Sequence, residues 1–365
     1  MVLYQAGQPV NQPSLMEAEA GEAPALAAQQ FERLDQALPE LVRQLDAFAP
    51  SMVATIARGS SDHAASFAGY LFGLQTGLVT ASLPPSLASV YGRDLRLNKA
   101  LVLAISQSGA SPDLVAAAGR AKAAGAFTLG LINQADSALG RAVTRQIETG
   151  AGPELAVAAT KSFILTLTAL VHLVAAWSRN AALRAALEKL PAALEQCVNT
   201  DWSAALRLLD GQDDVFVVGR GPHLPVAREF ALKLKEVCGI HAEALSAAEL
   251  LHGPIAIASA SLPAIVLAGD EQVRPTIDAA IARLKEAGAP LVLIQAESIQ
   301  AESADAGLHP GKSQRDIVVI PSTPDPLLQP VIAVQAAYPF FAALARARGL
   351  DPDSPPHLRK ITRTL

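Results

Sequence analysis

Residues 51–72 read SMVATIARGSSDHAASFAGYLF, and residues 213–234, which lie 162 positions further along the chain, read DDVFVVGRGPHLPVAREFALKL. Each stretch contains a short apolar run, then Arg-Gly, and then a segment with the length of a helix. An apolar strand followed by a helix is the repeating unit of a parallel α/β sheet. The similarity of the two stretches predicts an internal duplication, with one α/β domain in each half of the chain.

Short apolar runs of the same kind continue the pattern in both halves. The further strand candidates are residues 78–82, 100–106, 127–132, 262–269, 290–295 and 316–321. Helical patterns lie between some of these runs at residues 114–124 and 276–287, and longer ones lie at 161–177 and 181–209. The alternation predicts the α/β class, in which each domain is a parallel sheet between helices, as in flavodoxin-like three-layer sandwiches.

The composition of the segments outside these runs suggests where the domains begin and end. The predicted divisions are an N-terminal arm at residues 1–44, domains at 45–200 and 201–345, and a tail at 346–365. Residues 16–30 read as a helix of the arm that is interrupted near Pro24, and residues 31–48 read as another helix. The tail is too rich in proline to begin as a helix, so it is expected to lie as an extended strap.

The composition also limits the classes of protein to which the chain can belong. Of 365 residues, 51% are hydrophobic, which suggests much buried helix and a subunit interface. No apolar run is expected to reach the 18 residues of a membrane-spanning helix, residues 163–177 coming nearest, and the N-terminus lacks a signal-peptide pattern. A net charge of −5 without a long basic run argues against nucleic acid as a partner. Cys197 and Cys238 have no metal-binding spacing, and a cytoplasmic protein without a metal is expected.

Two loops of the first domain share one design. Residues 57–61 (ARGSS) and 105–111 (ISQSGAS) each follow a strand and precede a helix. Backbone N–H groups at a helix start, together with several hydroxyls, form a site for an anion such as a phosphate monoester. The P-loop pattern is absent, and Gly-x-Gly at 219–221 lacks a third glycine, so a nucleotide is not expected. The alternative is that Ser111 only caps a helix whose first residue is Pro112.

A polar stretch in the second domain, residues 228–254, carries most of the candidate catalytic groups. Its first half has apolar residues at helical spacing, and Lys233 lies three residues before Glu236 and four after Glu229. A carboxylate and an amine brought together in this way could transfer protons on a small substrate. The alternative is a solvated surface helix with ordinary ion pairs.

The second half of this stretch contains a candidate imidazole. Gly239 is expected to end the first helix, and a second helical run is expected from about Ala242 to His252, where Gly-Pro follows. An imidazole titrates near neutral pH, so His252 is a candidate for acid–base work on the same substrate.

Residues before the helix at 161–177 add candidate contacts for a ligand. Thr160 and Lys161 at the start of this helix, with Ala158 just before them, could face a ligand, although Lys161 could equally be a solvated side chain. His63, at the start of another helix, is interpreted as a surface or capping residue rather than a catalytic one.

Taken together, these motifs resemble the sugar isomerase (SIS) family over nearly the whole chain. The motifs are ARGSS at 57–61, SQSGAS at 106–111, AATKS at 158–162, GRGP at 219–222, ALKLKE at 231–236, HAEA at 241–244, HGP at 252–254 and LRKIT at 358–362. More closely, the set resembles the isomerase half of glucosamine-6-phosphate synthase and the stand-alone deaminases related to it. The resemblance implies two tandem SIS domains and a small-molecule sugar phosphate as substrate, with no cofactor.

The resemblance also implies roles for the residues already singled out. The positions that match the family's sugar-phosphate contacts are Ser60, Ser61, Ser106, Gln107, Ser108 and Ser111. Glu236 matches the carboxylate that moves a proton between C1 and C2, and Lys233 matches a lysine beside it. His252 matches a histidine that opens the sugar ring and enters from the neighbouring subunit, which implies a homodimer. Lys360 matches a tail lysine that can form an imine with an open-chain ketose.

The chain departs from the synthase pattern in ways that imply a different activity. The synthase motif SQSGET reads SQSGAS, which loses a carboxylate at Ala110, and its SEF reads Ser89-Val90-Tyr91, which loses another. The chain begins Met-Val, so a glutaminase with an N-terminal cysteine nucleophile is not expected. The implied activity is that of a glucosamine-6-phosphate deaminase, which gives fructose 6-phosphate and ammonia in amino-sugar catabolism.

Two alternatives remain open at this stage. One is a deaminase or deglycase for another substrate, such as galactosamine 6-phosphate or a fructosamine 6-phosphate. The other is a non-catalytic module that senses sugar phosphates, against which the complete set of Glu236, His252 and Lys360 argues.

Overall fold

The first of two parallel sheets lies in the N-terminal half of the chain. In the computed structural model, which describes residues 12–298 and 316–360, this sheet has the strand order β2-β1-β3-β4-β5. The strands are β1 (Met52–Ile56), β2 (Thr80–Ser82), β3 (Ala100–Ser106), β4 (Phe127–Ile132) and β5 (Arg145–Glu148). β3 and β4 are buried along their whole length because helices cover both faces of the sheet. β5 was not predicted, since Ile147 is its one buried residue and it has no apolar run.

The second sheet repeats the plan of the first. Its strands are β6 (Asp214–Gly219), β7 (His241–Ser246), β8 (Ala264–Leu267), β9 (Leu291–Ala296) and β10 (Ile317–Ile320). Their order is β10-β9-β8-β6-β7, so in each half the second strand lies at one edge, beside the first, and the others follow in sequence. All pairings are parallel in both sheets. The predicted α/β fold with two parallel sheets is confirmed.

Helices cover both faces of each sheet. Those that share one large apolar core with both sheets are α1 (Leu15–Phe48), α2 (Ser60–Thr76), α6 (Lys161–Trp177), α7 (Ala181–Gln196), α8 (Ser203–Leu209), α9 (His223–Glu236) and α12 (Gln329–Ala347). The outer faces carry α3 (Ser86–Ser89), α4 (Pro112–Ala123), α5 (Ala138–Ala142), α10 (Ala247–Leu251) and α11 (Arg274–Glu286). Short 3₁₀ turns lie at Cys197–Asn199, Pro254–Ile257 and Pro326–Leu328.

The N-terminal arm is one helix, and the predicted interruption near Pro24 and the predicted division between residues 30 and 31 are both wrong. α1 runs unbroken for 34 residues with Pro24 and Pro39 inside it. A capping box fixes its start, since Ser14 and Glu17 each accept a hydrogen bond from the other's backbone N–H. A proline inside a helix costs about 3 kcal/mol. Burial of one long face of α1 against α6, α7 and α12 outweighs that cost.

The helical run predicted from about Ala242 to His252 is wrong in its first half. Residues 241–246 form β7, an edge strand whose every residue from His241 to Ser246 pairs in parallel with β6. Ala, Glu and Leu favour helices in isolation, but pairing with a neighbouring strand overrides that preference. The helical part of the run is confined to α10.

α12 and the turn before it are apolar enough to span a membrane by length and composition alone. The segment Pro326–Ala347 has 22 residues, and 89% of its most apolar window is buried inside the protein. This finding corrects the expectation that residues 163–177 come nearest to such a helix. Packing of α12 against α1, α6 and α9 gives it the surroundings of a central helix in a protein core.

Residues 351–360 form an irregular strap that crosses the start of α1. The Asp353 carboxylate accepts hydrogen bonds from the backbone N–H groups of Leu15 and Met16, at 2.8 and 2.9 Å. The Asp353 carbonyl accepts a third from Val157, in the loop before α6. Residues 1–11 of the predicted arm and the last two residues of the LRKIT motif lie outside the described part of the chain.

Replacing Asp353 with alanine is expected to lower the free energy of unfolding by about 1 kcal/mol, because two N–H groups at the start of α1 lose their acceptor. Urea denaturation of the variant and the parent protein would measure this loss. Asp278→Ala, which alters an exposed aspartate of α11, serves as the control and should unfold at the parent urea concentration. An equal loss in both variants would show that the carboxylate of Asp353 does not cap α1.

Candidate active site

The two serine loops predicted to bind an anion lie side by side at the carboxyl edge of the first sheet. β1 leads through Arg58 and Gly59 into α2, and its neighbour β3 leads through residues 107–111 into α4. The strand order reverses between β1 and β3, since β2 lies on the other side of β1. Ligands of such sheets bind in the crevice at this point, towards which both helices direct their first N–H groups.

Two of the three serine side chains in the second loop accept hydrogen bonds from the backbone of the loop, and the third makes no capping hydrogen bond. Ser106 Oγ accepts a hydrogen bond from Gly109 N at 3.0 Å, and Ser108 Oγ accepts one from Ala110 N at 3.3 Å. Ser111 occupies the N-cap position of α4, but its side chain makes no capping hydrogen bond. The hydroxyl of Ser111 is therefore not used to cap α4, and its role as a phosphate contact stays a prediction. The other predicted phosphate contacts, Ser60, Ser61 and Gln107, are half-buried.

α9 carries a run of buried charges where it packs against α2. Lys233, which is 1% exposed, donates from Nζ to Glu236 Oε2 at 2.6 Å and lies 3.3 Å from Glu229 Oε1. Glu229 is fully buried, accepts a hydrogen bond from Ser60 Oγ at 2.8 Å and lies 2.7 Å from His63 Nδ1. The network joins the first serine loop to the Lys233–Glu236 pair, so the alternative of a solvated surface helix is wrong.

The charges of this network stabilise one another. Burial raises the pKa of Glu229, but Lys233, His63 and Ser60 outweigh burial and bring that pKa below its ordinary value. Burial lowers the pKa of Lys233, but Glu229 and Glu236 outweigh burial and bring that pKa above its ordinary value. Lys233 is therefore a fixed cation at neutral pH. Glu236, whose side chain is 25% exposed, is the carboxylate of the network that a substrate can reach.

The tail lysine lies against the loop before α6. Lys360 Nζ donates to Glu154 Oε2 and to the carbonyl oxygen of Ala156, both at 2.7 Å. Glu154 is buried, and its Oε1 accepts hydrogen bonds from the backbone N–H and the hydroxyl of Thr160. Burial raises the pKa of Glu154, but Lys360 and the hydrogen bonds from the backbone N–H and hydroxyl of Ser162 outweigh burial and bring that pKa below its ordinary value. Lys360 and Thr160 thus share the carboxylate of Glu154, and Ala158 is a buried residue of the same loop.

Two side chains near the site have surroundings other than those predicted from the sequence. Lys161 faces neither a ligand nor solvent, because it is buried and donates from Nζ to Glu22 Oε2 of α1 at 2.7 Å. His63 is not a surface or capping residue, since its side chain is 17% exposed and contacts Glu229. In both pairs the partner lies more than a hundred residues away in the chain, so no local pattern could indicate it.

Tyr338, on α12, is a residue of this region that the sequence reasoning missed. Its side chain is fully buried, and its hydroxyl has no hydrogen-bond partner among the described residues. Burial, together with the carboxylates of Glu229, Glu154 and Glu236, raises the pKa of Tyr338 well above its ordinary value. The networks of Lys233 and Lys360 therefore meet around this tyrosine. Its one signal in the sequence is a polar ring within an otherwise apolar helical run.

His252 lies apart from the other predicted catalytic residues of its own chain. α9 begins at the carboxyl edge of the second sheet and ends with Glu236 at the opposite edge, where β7 begins. β7 then returns to the carboxyl edge, and α10 leads to His252, whose side chain is exposed. A strand of this length spans about 20 Å. One chain therefore brings Lys233, Glu236 and Glu229 together but leaves the imidazole of His252 at the far edge of the sheet.

The SIS domain family matches the chain in two segments, residues 50–176 and 208–322. These segments contain both serine loops, both sheets and the charged run of α9. The glutamine–fructose-6-phosphate aminotransferase (isomerizing) of Thermococcus kodakarensis is 35% identical over 318 residues, which are 84% of this chain and 51% of that protein. The chain thus spans about half the length of the curated relatives it matches.

Solved structures agree with this assignment. A candidate phosphosugar isomerase from Silicibacter pomeroyi DSS-3 is 36% identical, with a TM-score of 0.83 over 93% of this chain and 100% of that chain. A glucosamine-6-phosphate deaminase from Thermotoga maritima is 20% identical, with a TM-score of 0.75 over 96% of this chain and 100% of that chain, and it shows the fold alone. With the family matched in both halves and the serine loops at the switch point of the first sheet, the chain belongs to the SIS domain family.

Proposed function

We propose that the chain is a sugar-phosphate isomerase that acts on glucosamine 6-phosphate and releases ammonia, which makes it a glucosamine-6-phosphate deaminase. The observation that carries the proposal is the pair of Lys233 Nζ and Glu236 Oε2, at 2.6 Å, tied through Glu229 to the first serine loop. The loop supplies hydroxyls and helix N–H groups for a phosphate, and the pair supplies a reachable base beside a fixed cation.

The proposed reaction moves two protons within the open-chain sugar. Glu236 takes the proton from C2 and returns it to C1, so that the C2–H bond breaks and a C1–H bond forms. A second proton passes from the amino nitrogen to O1, so that the C1 aldehyde becomes an alcohol and the amino group at C2 becomes an imine. Water adds to the imine carbon and ammonia leaves, which gives fructose 6-phosphate. Lys233 stays protonated and stabilises the negative charge that develops on the substrate between these two transfers.

Lys360 is proposed to act at the same end of the sugar. It is held by Glu154 and Ala156 against the loop that carries Ala158 and Thr160, the proposed sugar contacts. A primary amine at this position can exchange with the imine nitrogen at C2 and release ammonia, after which water hydrolyses the new imine. The loss of a carboxylate at Ala110, relative to the synthase motif, is the sequence feature that favours deamination over synthesis.

We also propose that the active unit is a homodimer in which His252 serves the site of the other subunit. Within one chain, the length of β7 separates His252 from Glu236 by about 20 Å, which is too far for both to act on one sugar. An exposed imidazole at an edge of the protein can reach a neighbouring copy, where it would transfer protons at the ring oxygen and O1.

The purified chain is expected to convert glucosamine 6-phosphate to equimolar fructose 6-phosphate and ammonia, because the proposed proton transfer leaves an imine that water hydrolyses. Coupled assays for the two products measure this directly. Glucosamine without phosphate is the control, and its turnover should be far slower because the serine loops have nothing to bind. No turnover, or turnover that releases no ammonia, would contradict the proposal.

A substrate panel separates the neighbouring functions. Galactosamine 6-phosphate and a fructosamine 6-phosphate test the alternative deaminases and deglycases. Glucose 6-phosphate tests plain aldose–ketose isomerisation, which the Lys233–Glu236 pair could also perform and which the 36% identity to a candidate phosphosugar isomerase favours as the second function. Binding of these compounds without turnover of any would indicate a sensor.

A further inference from the structure

The second sheet has a switch point of its own, at the place where the first sheet carries its serine loops. The strand order reverses between β6 and β8, because β7 lies on the far side of β6. When residues 213–234 are aligned with residues 51–72, His223 occupies the position of Ser61. The segment after β8 opens α11, just as the second serine loop after β3 opens α4. Crevices at such points are the places where ligands bind in parallel sheets.

A cavity of about 720 Å³ occupies this switch point. Among the residues that line it are His223, Asp270, Glu271, Ser298, Thr323 and Asp325, all in the described part of the chain. Its volume falls within the range of pockets that hold small molecules. The cavity lies on the second sheet, whereas the phosphate loops described above lie on the first.

Buried polar groups beside this cavity have no partner within the protein. His223 is 4% exposed, and its Nδ1 has no hydrogen-bond partner among the described residues. Gln295, at the end of β9, is 1% exposed, and both polar atoms of its amide are likewise without a partner there. His223 and Gln295 also border a void of about 10 Å³ that adjoins the cavity, which is room for about one water. Buried polar groups are rarely left in this state unless a ligand or water completes them.

The charges at this cavity are opposite to those that a phosphate needs. Asp270, Glu271 and Asp325 line it, and no Lys or Arg is among the described lining residues. Asp270 and Asp325 each use Oδ1 to accept backbone hydrogen bonds, and within the described residues no hydrogen bond engages their Oδ2. Burial lowers the pKa of His223 to about 4; Asp270 opposes this shift and Arg274 adds to it, so the imidazole is neutral at pH 7. Repulsion from three carboxylates would disfavour a phosphate.

We propose that this cavity is a second ligand site, which binds a hydroxyl-rich sugar or amino sugar that carries no phosphate. Carboxylates, amides and hydroxyls along its wall match the many O–H and N–H donors of such a ligand. No aromatic side chain other than His223 is among the described lining residues, so little there would stack on a nucleobase. The site is independent of the proposed deaminase activity, since its polar groups with no hydrogen-bond partner and its carboxylates belong to the second domain, although Leu74 and Gln75 of α2 also line the cavity.

Calorimetric titration of the full chain with glucosamine and with N-acetylglucosamine tests the proposal. Glucose 6-phosphate is kept at saturation throughout, so that the phosphate loops are occupied. We expect saturable binding of at least one of the two sugars under this condition. His223→Leu should weaken that binding about tenfold, the usual effect of losing a buried hydrogen-bond partner. Ser61→Ala, at the matching position of the first domain, should leave it unchanged.

A second variant keeps the test decisive if His223→Leu does not fold. Asp270→Asn retains the two hydrogen bonds that Oδ1 accepts from the backbone N–H groups of Gln272 and Val273, because the amide oxygen of asparagine can accept them in the same way. If Asp270→Asn weakens the binding of glucosamine several-fold more than the binding of N-acetylglucosamine, the ligand is an amino sugar. Equal weakening of the binding of both sugars indicates a neutral sugar. Unsaturable titrations overturn the proposal. The proposal is also overturned if glucose 6-phosphate or Ser61→Ala abolishes the binding of the sugar, or if neither His223→Leu nor Asp270→Asn alters that binding.

Discussion

Replacing Glu236 with glutamine is expected to lower kcat for glucosamine 6-phosphate by about 10²- to 10⁴-fold, the usual contribution of a positioned base. Glutamine has the size of glutamate, and its side-chain oxygen can still accept the hydrogen bond from Lys233 Nζ that Glu236 accepts at 2.6 Å. It cannot take a proton from C2, so the transfer to C1 stops. Steady-state rates from the ammonia assay, at substrate levels that saturate both proteins, measure the difference.

Binding separates this loss from a damaged site. The phosphate contacts come from the first sheet and Glu236 from α9, so the Kd of Glu236→Gln for glucose 6-phosphate should remain within about twofold of the parent value. Glu243→Gln changes an exposed carboxylate on β7, in the same polar stretch, and is the matched control with parent kcat. Parent turnover in Glu236→Gln would show that another group moves the proton. Lost binding of glucose 6-phosphate would instead give Glu236 a structural role.

The parts of the fold that local patterns specify were predicted from the sequence. β3, β4 and α6 were predicted with their observed bounds because each is a mostly apolar segment of the length of its element, buried throughout or nearly so. Both serine loops were located for a related reason, since a strand, a short polar loop and a helix start are adjacent in the chain. The Lys233–Glu236 pair is a contact within one helical turn, which residue spacing alone can indicate.

The missed features depend on contacts between distant parts of the chain. β7 has helix-favouring residues and becomes a strand only because β6 offers it a partner. Glu154 lies in the loop before α6, and its place beside the candidate site becomes visible only because Lys360 reaches it from 206 residues away. From the sequence alone, Tyr338 cannot be told from an ordinary core residue. Its proximity to the site shows only in the effect of three carboxylates on other segments, which raise its pKa. The spacing of residues along the sequence carries no information about contacts between such distant segments.

Replacing Glu229 with glutamine is expected to lower the free energy of unfolding by about 3 kcal/mol, because a buried lysine loses one of its two counter-charges. Lys233 is 1% exposed and has no water to replace the carboxylate that lies 3.3 Å from its Nζ. The estimate is at the lower end of the usual range for breaking a buried ion pair, since Glu236 still pairs with Lys233. Urea denaturation at pH 7 measures the loss, and Ser60→Ala, which removes one hydrogen bond to Glu229, should cost only about 1 kcal/mol.

The pH dependence of stability distinguishes lost charge from altered packing in this variant. The folded protein lowers the pKa of Glu229 below the ordinary value of 4.5. Its stabilising effect is therefore present above pH 4.5 and is lost as the pH falls through the lower, folded-state pKa. Glu229→Gln lacks this titrating group, so the stability gap between variant and parent should be widest at neutral pH and should narrow in acid. A gap of constant size across that range would mean that glutamine disturbs the packing of α9 against α2, and that the charge of Glu229 is not what joins the serine loop to Lys233.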